Sequence, residues 1–147
     1  MIWSDEIADQ AVVIHDRVRR MLRTAAIQGD LELTGASSLP GTLTKGDVDL
    51  HLRVEEFEVA VEALKELLPV AVPSAWASTL AVFDVPDQEL PTGVAVTPVG
   101  SEHDRRFTVA WRRLAAEPEL HQRYNALKQA GPDEEAKSAF FSELTGT

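Results

Sequence analysis

Between positions 47 and 54 apolar and polar residues alternate without a break. Val48, Leu50, Leu52 and Val54 fall on one side, with Asp47, Asp49, His51 and Arg53 on the other, and this period of two predicts a half-buried strand. Elsewhere the period lengthens. Ile7, Ala11, Ile14, Val18, Met21, Leu22 and Ala25 recur at helical spacing, which predicts a long helix over 4–28. Ser4 is its expected N-cap, Asp5 and Glu6 suit its first turn, and the Gly-Asp pair at 29–30 ends it. A second helix is expected over 55–68, with Phe57, Val61, Leu64 and Leu68 on one stripe. Short apolar runs at 31–35, 76–85 and 93–99 predict further strands between turn-rich stretches. The last third reads as helices over 103–115, 118–130 (Pro118 suiting a first turn) and 133–144. The layout is α+β in one domain over 1–147: a small sheet, a covering helix layer and a helical C-terminal portion.

Charge narrows the choice of partner. The 147 residues carry a formal net charge of -10, which works against broad attraction to a phosphate backbone. Arg105, Arg106, Arg112 and Arg113 interleave with Glu102, Asp104 and Glu117, so they read as a solvated helix face rather than a nucleic-acid patch. A small-molecule partner is the better expectation. Without cysteine there is no thiolate nucleophile or thiolate metal site. No apolar run approaches the roughly 20 residues of a membrane span, and the acidic N-terminus lacks the order of a signal peptide, so a cytoplasmic location is expected. The four histidines share no zinc spacing. His51 is expected as a polar surface position, His15 as helix-surface packing, and His103 and His121 as exposed. Trp3, Trp76 and Trp111 are expected in the core.

The alternation at 47–54 leaves one chemical question. Asp47 and Asp49 share a strand face with their Cβ atoms roughly 6.5–7 Å apart. Two carboxylates at that spacing repel each other but suit a shared hard cation, Mg²⁺ or Mn²⁺. The loop ahead of them, 36–46, is rich in small and hydroxyl residues. Gly35 and Gly41 permit close backbone approach, and Ser37 and Ser38 offer donors to phosphate oxygens. Lys45 follows, without the context of a P-loop. A strand, a Gly-small-Ser loop and a strand bearing Asp-x-Asp make a polyphosphate-and-metal arrangement.

The stretch TGASSLPGTLTKGDVDLHLRV resembles the GrpB family of the nucleotidyltransferase superfamily, which has the polymerase-beta-like fold. Gly35, Ser37, Pro40, Gly41, Lys45, Asp47 and Asp49 match that family's loop and Asp-x-Asp strand in place. Downstream, EPELHQRYNALKQ (117–129) is similar to its C-terminal helix, with Pro118, Leu120, Tyr124, Leu127 and Lys128 in the matching positions. The resemblance implies a nucleotidyltransferase-like small mixed sheet covered by helices. It also implies a Mg²⁺- or Mn²⁺-dependent enzyme moving a nucleoside monophosphate from an NTP to a small-molecule or protein acceptor. Asp47 and Asp49 would then be catalytic metal ligands. Gly35, Ser37, Ser38, Lys45 and Lys128 would contact phosphate, with Tyr124 facing substrate beside Lys128. Three departures stand out. Ala36 replaces the family's usual serine, and Trp111 takes the place of an arginine, with Arg112 beside it. The strand 93–99 carries neither the third acid of active transferases nor the histidines frequent among GrpB relatives; Asp84 is the nearest substitute. They define the alternative: a catalytically impaired nucleotide- or metal-binding regulatory module of the same fold.

Overall fold

A computed structural model describes residues 1–146; Thr147, the last residue of the expected domain, lies outside them. Among the described residues six strands and five α-helices follow one another. The strands are β1 (Ile2–Trp3), β2 (Asp30–Thr34), β3 (Leu43–Thr44), β4 (Val48–Val54), β5 (Ala81–Asp84) and β6 (Thr92–Pro98). The helices are α1 (Ala8–Thr24), α2 (Phe57–Leu67), α3 (Glu102–Ala116), α4 (Pro118–Gln129) and α5 (Glu134–Thr145). The main sheet has the order β2-β4-β6-β5, with β4 and β6 parallel and the outer pairs antiparallel. β1 and β3 form a separate two-stranded ribbon.

The alternation of β4 divides the molecule into two layers. Val48, Leu50, Leu52 and Val54 are buried with Phe83, Val94 and Val96, and against them lie the apolar stripes of α1 (Ala11, Ile14, Val18, Leu22) and α2 (Val61, Leu64). Each such side chain contributes roughly 1.5–3 kcal/mol by leaving water, which makes this face the main source of stability. The opposite face of the sheet meets α3. A second apolar cluster, separate from the first, joins Ala110 and Leu114 of α3, Tyr124 of α4, Phe140 and Leu144 of α5, and Ala36. Both ends of this helical layer are capped by side chains. Ser101 Oγ accepts from Asp104 N (3.2 Å), and Asp133 Oδ1 from Ala136 N (2.8 Å).

Several expectations change in the structure. The helix expected over 4–28 breaks into a 3₁₀ turn, Ser4–Glu6, and α1. Ser4 is buried instead of capping. Its Oγ donates to the Leu39 carbonyl (2.7 Å) and accepts from Thr42 N (3.1 Å), so it ties the N-terminus to the serine loop. Ala26, at a φ of 58°, turns the chain out of the helix early. The strand expected over 76–85 shrinks to β5, because a 3₁₀ turn at Pro73–Ala75 and a tight bridge between Ala77 and Leu80 occupy its approach. Trp3 is 45% exposed on the ribbon, not core. Trp76 is half-buried, with its indole N–H donating to the Ala71 carbonyl (2.9 Å). Trp111 is half-buried on the α3 side of the sheet. Among the described residues, no helix is long and apolar enough to cross a membrane.

Candidate active site

The serine loop is a braced structure. Its core is the 3₁₀ turn Ala36–Ser38, entered through Gly35 at φ 72° and ψ -171°. That conformation is essentially restricted to glycine. Gly35 is required for a second reason: a Cβ there would collide with Asp49 Oδ2. The Asp49 carboxylate therefore rests directly on the backbone of the turn. Ser37 Oγ donates to the Asp47 carbonyl and lies 3.3 Å from Thr44 Oγ1, while Ser38 Oγ donates to the Gly35 carbonyl (2.7 Å). The two hydroxyls expected to face phosphate are thus turned inward. They stiffen the loop that holds the acids, because a buried hydroxyl must find a partner within the protein.

Helix α4 clamps the other half of the loop. Asn125 accepts from Leu43 N (3.0 Å) and donates to the Gly41 carbonyl (3.0 Å), and His121 Nε2 lies 2.7 Å from Thr42 Oγ1. Asp5 Oδ2 accepts from Gly41 N (2.9 Å). His121 is accordingly half-buried rather than exposed, and His103, 2.6 Å from Thr79 Oγ1, is too. His15 Nε2 meets the Leu31 carbonyl at 2.7 Å, consistent with a packing role. Sequence reasoning missed Asn125, which sits between Tyr124 and the chain's next apolar positions. Its only signal is an amide on the helix that also carries the matched tyrosine and lysine.

Asp47 and Asp49 lie at the entrance of β4, reachable by water. Asp49 sits in a concavity where protein crowds its carboxyl on most sides. Burial, and then the charge of Asp47, push it up to about 6. Lys128 partly offsets this. The Lys128 ammonium is itself held below its usual range by burial and by the charges of Lys137 and Lys45, against the pull of Asp49 and Asp47. Lys128 thus stands within electrostatic reach of both acids, and Lys45 and Lys137 within reach of Lys128, as a cationic rim on this side of the site. Lys128 Nζ is 5.8 Å from the centre of the Tyr124 ring. Tyr124 itself is buried in the aromatic cluster, edge-on to Trp111 (5.4 Å between centroids). Its phenol is held up to about 12 by burial and by the Asp49 charge.

The pairing of strands places Asp84 with care. Thr34, Asp49, Gly93 and Asp84 form one row across the sheet, all on the α3 side. Asp84 is two strands away from Asp49, about 9–10 Å across the sheet. Among the described residues, no group of three His, Asp or Glu side chains is arranged to hold a metal ion. Asp47 and Asp49 thus stand as a pair, with Asp84 in their row and out of their reach.

One row further along β4 the picture reverses. His51, expected at the surface, is 1% exposed. Its Nε2 lies 2.8 Å from Thr97 Oγ1, and its ring is edge-on to Phe107 of α3 (5.2 Å). Arg53 grips Asp104 bidentately (2.7 and 3.0 Å), and Gly100 N donates to the same carboxylate (2.8 Å). Burial lowers His51 to about 4, with Asp104 opposing and Arg53 adding to the shift, so the imidazole is neutral near pH 7. Asp104 stays below the usual carboxylate range: burial raises it, but Arg53 and Gly100 prevail. The arginines also divide. Arg105 and Arg112 are solvated as expected. Arg113 instead pairs with Glu117 (2.7 Å), and Arg106 reaches Ser142 Oγ (3.4 Å) on α5.

Between the two clusters a cleft of about 350 Å³ opens under α3 and α5. Asp49, His51, Gly93 and Ala95 form its floor, and Phe107, Trp111 and Phe141 its wall. Those aromatics carry no motif, because three turns of two different helices bring them together.

No family model matches this chain, and neither does any curated protein. Its fold, however, is that of a solved protein. The crystal structure of conserved protein GrpB from Enterococcus faecalis superposes with a TM-score of 0.72 at 20% identity, covering 92% of this chain and 90% of that one. The resemblance read from the serine loop and the C-terminal helix is thereby met at the level of the fold.

Proposed function

We propose that this chain is a divalent-cation-dependent nucleotidyltransferase, moving a nucleoside monophosphate from an NTP to an acceptor hydroxyl. The observation that carries the proposal is the seat of Asp49 on Gly35, beside Asp47 and under the rim of Lys45 and Lys128. The donor set fits Mg²⁺ or Mn²⁺: two carboxylate ligands, open to water that can complete an octahedron. Asp47 and Asp49 would hold the ion. When bound, it supplies charge neutralisation at the phosphoryl group undergoing displacement. The chain's own residues do the rest. Lys45 and Lys128 draw the phosphates to the rim, where partial desolvation strengthens each charge. The loop, stiffened by Ser37, Ser38 and Asn125, fixes the acids before substrate arrives, so little ordering remains for binding. In the transfer, the acceptor oxygen bonds to the α-phosphorus, the bond to the pyrophosphate leaving group breaks, and the acceptor proton passes to water.

To test this, labelled NTPs and Mg²⁺ are incubated with the protein and a metabolite panel, beside Asp47→Ala/Asp49→Ala. Label should reach an acceptor with the wild type alone; transfer that survives in the double variant overturns the metal assignment. The pairing of only two acids favours a second reading, a nucleotide-binding module without turnover. Calorimetric titration with ATP and Mg²⁺ separates the two, since binding without any transfer supports the module.

A further inference from the structure

The cleft beside Asp49 is a place where the sequence withholds side chains. On β6, the residues paired with Asp49 and His51 are Gly93 and Ala95, and on β5 the next residue in the His51 row is Val82. Large side chains at 93 and 95 would fill the space that α3 and α5 roof with Phe107, Trp111 and Phe141. An unfilled apolar space of this size lowers stability, because its lining forgoes contacts that a packed core would make. Gly93 adds no steric need of its own: a Cβ there would meet the Phe83 carbonyl at 3.5 Å, an ordinary contact. The small residues are therefore explained by an occupant, not by the packing of the sheet.

Charge is segregated around the same point. Lys128, with Lys45 and Lys137 close enough to act on it, is the cation that acts on Asp49, and none of the three lines the cleft. The cleft's walls are dominated by hydrocarbon and aromatic surface; Arg106 also lines it, with its guanidinium donating to Ser142 Oγ and the Ser138 carbonyl of α5. Its volume is at the lower end of the range of small-molecule sites, roughly 300–1,000 Å³. His51 on the floor is already engaged with Thr97 Oγ1 (2.8 Å). A triphosphate suits the cationic rim; a flat apolar body suits the cleft; Asp49 touches both.

We propose that the cleft receives the acceptor, and that the acceptor is an alcohol or phenol carried on a flat aromatic or hydrocarbon frame. The inference rests on the nucleotidyl-transfer reading of the Asp47–Asp49 pair and adds its substrate class. The frame lies between Ala95 and the wall of Phe107 and Trp111, which directs the hydroxyl toward Asp49.

The probe is 2-naphthol, titrated calorimetrically into the full chain with and without Mg²⁺ and ATP, with glycerol as the polar comparison. Ala95→Leu fills the cleft from β6, and Val82→Phe narrows it from β5, so a folding failure in one variant leaves the other. Wild type should bind 2-naphthol, both variants should bind it about tenfold more weakly or worse, and their titration with Mg²⁺ and ATP should match wild type. Label from NTP should pass to 2-naphthol and not to glycerol. Equal 2-naphthol affinity in wild type and folded variants overturns the inference, as does labelling of glycerol in preference. If 2-naphthol binds as expected but no NTP yields transfer to any acceptor, the cleft assignment is supported and the transferase reading is the one that fails.

Discussion

The two ends of β4 put charged residues on the same face of the same strand and treat them in opposite ways. At its C-terminal end, Arg53, Asp104, His51 and Thr97 satisfy one another under α3, and Asp104 is nearly inaccessible. At its N-terminal end, Asp47 and Asp49 face each other with no partner of opposite sign in contact distance among the described residues. The first cluster is closed: every charge is answered within the fold, and its residues account for their own presence. The second is open: Lys128 only partly offsets the repulsion of its two acids, and the rest of the balance must come from outside. A charged residue in a protein is thus informative about function when its neighbours leave it unanswered, and polarity alone says little.

The comparison can be broken most decisively at its closed end. Arg53→Met leaves the Asp104 carboxylate buried with only the Gly100 amide, Ser101 turn and His51 nearby, and should cost about 3–5 kcal/mol in chemical denaturation. A cost below about 1 kcal/mol would mean that Asp104 is reached by water and the cluster is not closed. The next effect is in acid. His51 is held at about 4 against an ordinary value of 6.5, so the folded state binds its proton later than the unfolded state. The stability this contributes is complete above pH 6.5 and is lost as pH falls toward 4, about 3 kcal/mol in all. His51→Gln should flatten that part of the pH–stability curve; an unchanged curve would move the acid sensitivity elsewhere.

At the open end the effects are smaller, and the last of them has the opposite sign. Gly35→Ala forces a Cβ into a left-handed conformation and against Asp49 Oδ2, at a cost of about 1–3 kcal/mol. It should also abolish any stabilisation by Mg²⁺, as read from the thermal midpoint with and without the ion. Asp49→Asn is the mildest. Because the folded state raises Asp49 to about 6, ionising it works against the fold: stability is fullest below the unfolded value near 4 and declines as pH rises to 6. Asp49→Asn should therefore hold or slightly raise the midpoint at pH 7 without metal, while losing the Mg²⁺ response. A lower midpoint at pH 7 would show that the acid is already balanced within the protein.

The sequence made some of this visible for a clear reason. The alternation of β4 and the stripes of α1 and α2 follow from the main core, whose period is written into each element separately. The Asp-x-Asp pair and Gly35 were legible because they are local: a spacing of two and a residue without a Cβ. His51 was misplaced because the period-two rule assigns a face, and only α3, about fifty residues later, determines that this part of the face is covered. The partners of the Ser37 and Ser38 hydroxyls were hidden in a similar way. The residue type announces hydrogen bonding, but whether a hydroxyl points to a ligand or to its own loop depends on the turn between them. β1 and β3 are two residues each, too short to carry any period. The aromatic wall could not be read because Phe107, Trp111 and Phe141 become neighbours through helix packing alone.

The separate aromatic cluster has a kinetic consequence. Phe140 and Leu144 anchor α5 to α3 and α4 without reaching the main core, so α5 can melt while the sheet, α1 and α2 keep their packing. Its amides should then exchange with solvent hydrogen sooner than those of β4 and β6. Each such opening would lift Phe141 from the cleft and change how quickly a molecule enters or leaves, so residence time in the cleft would be set by one helix at the end of the chain.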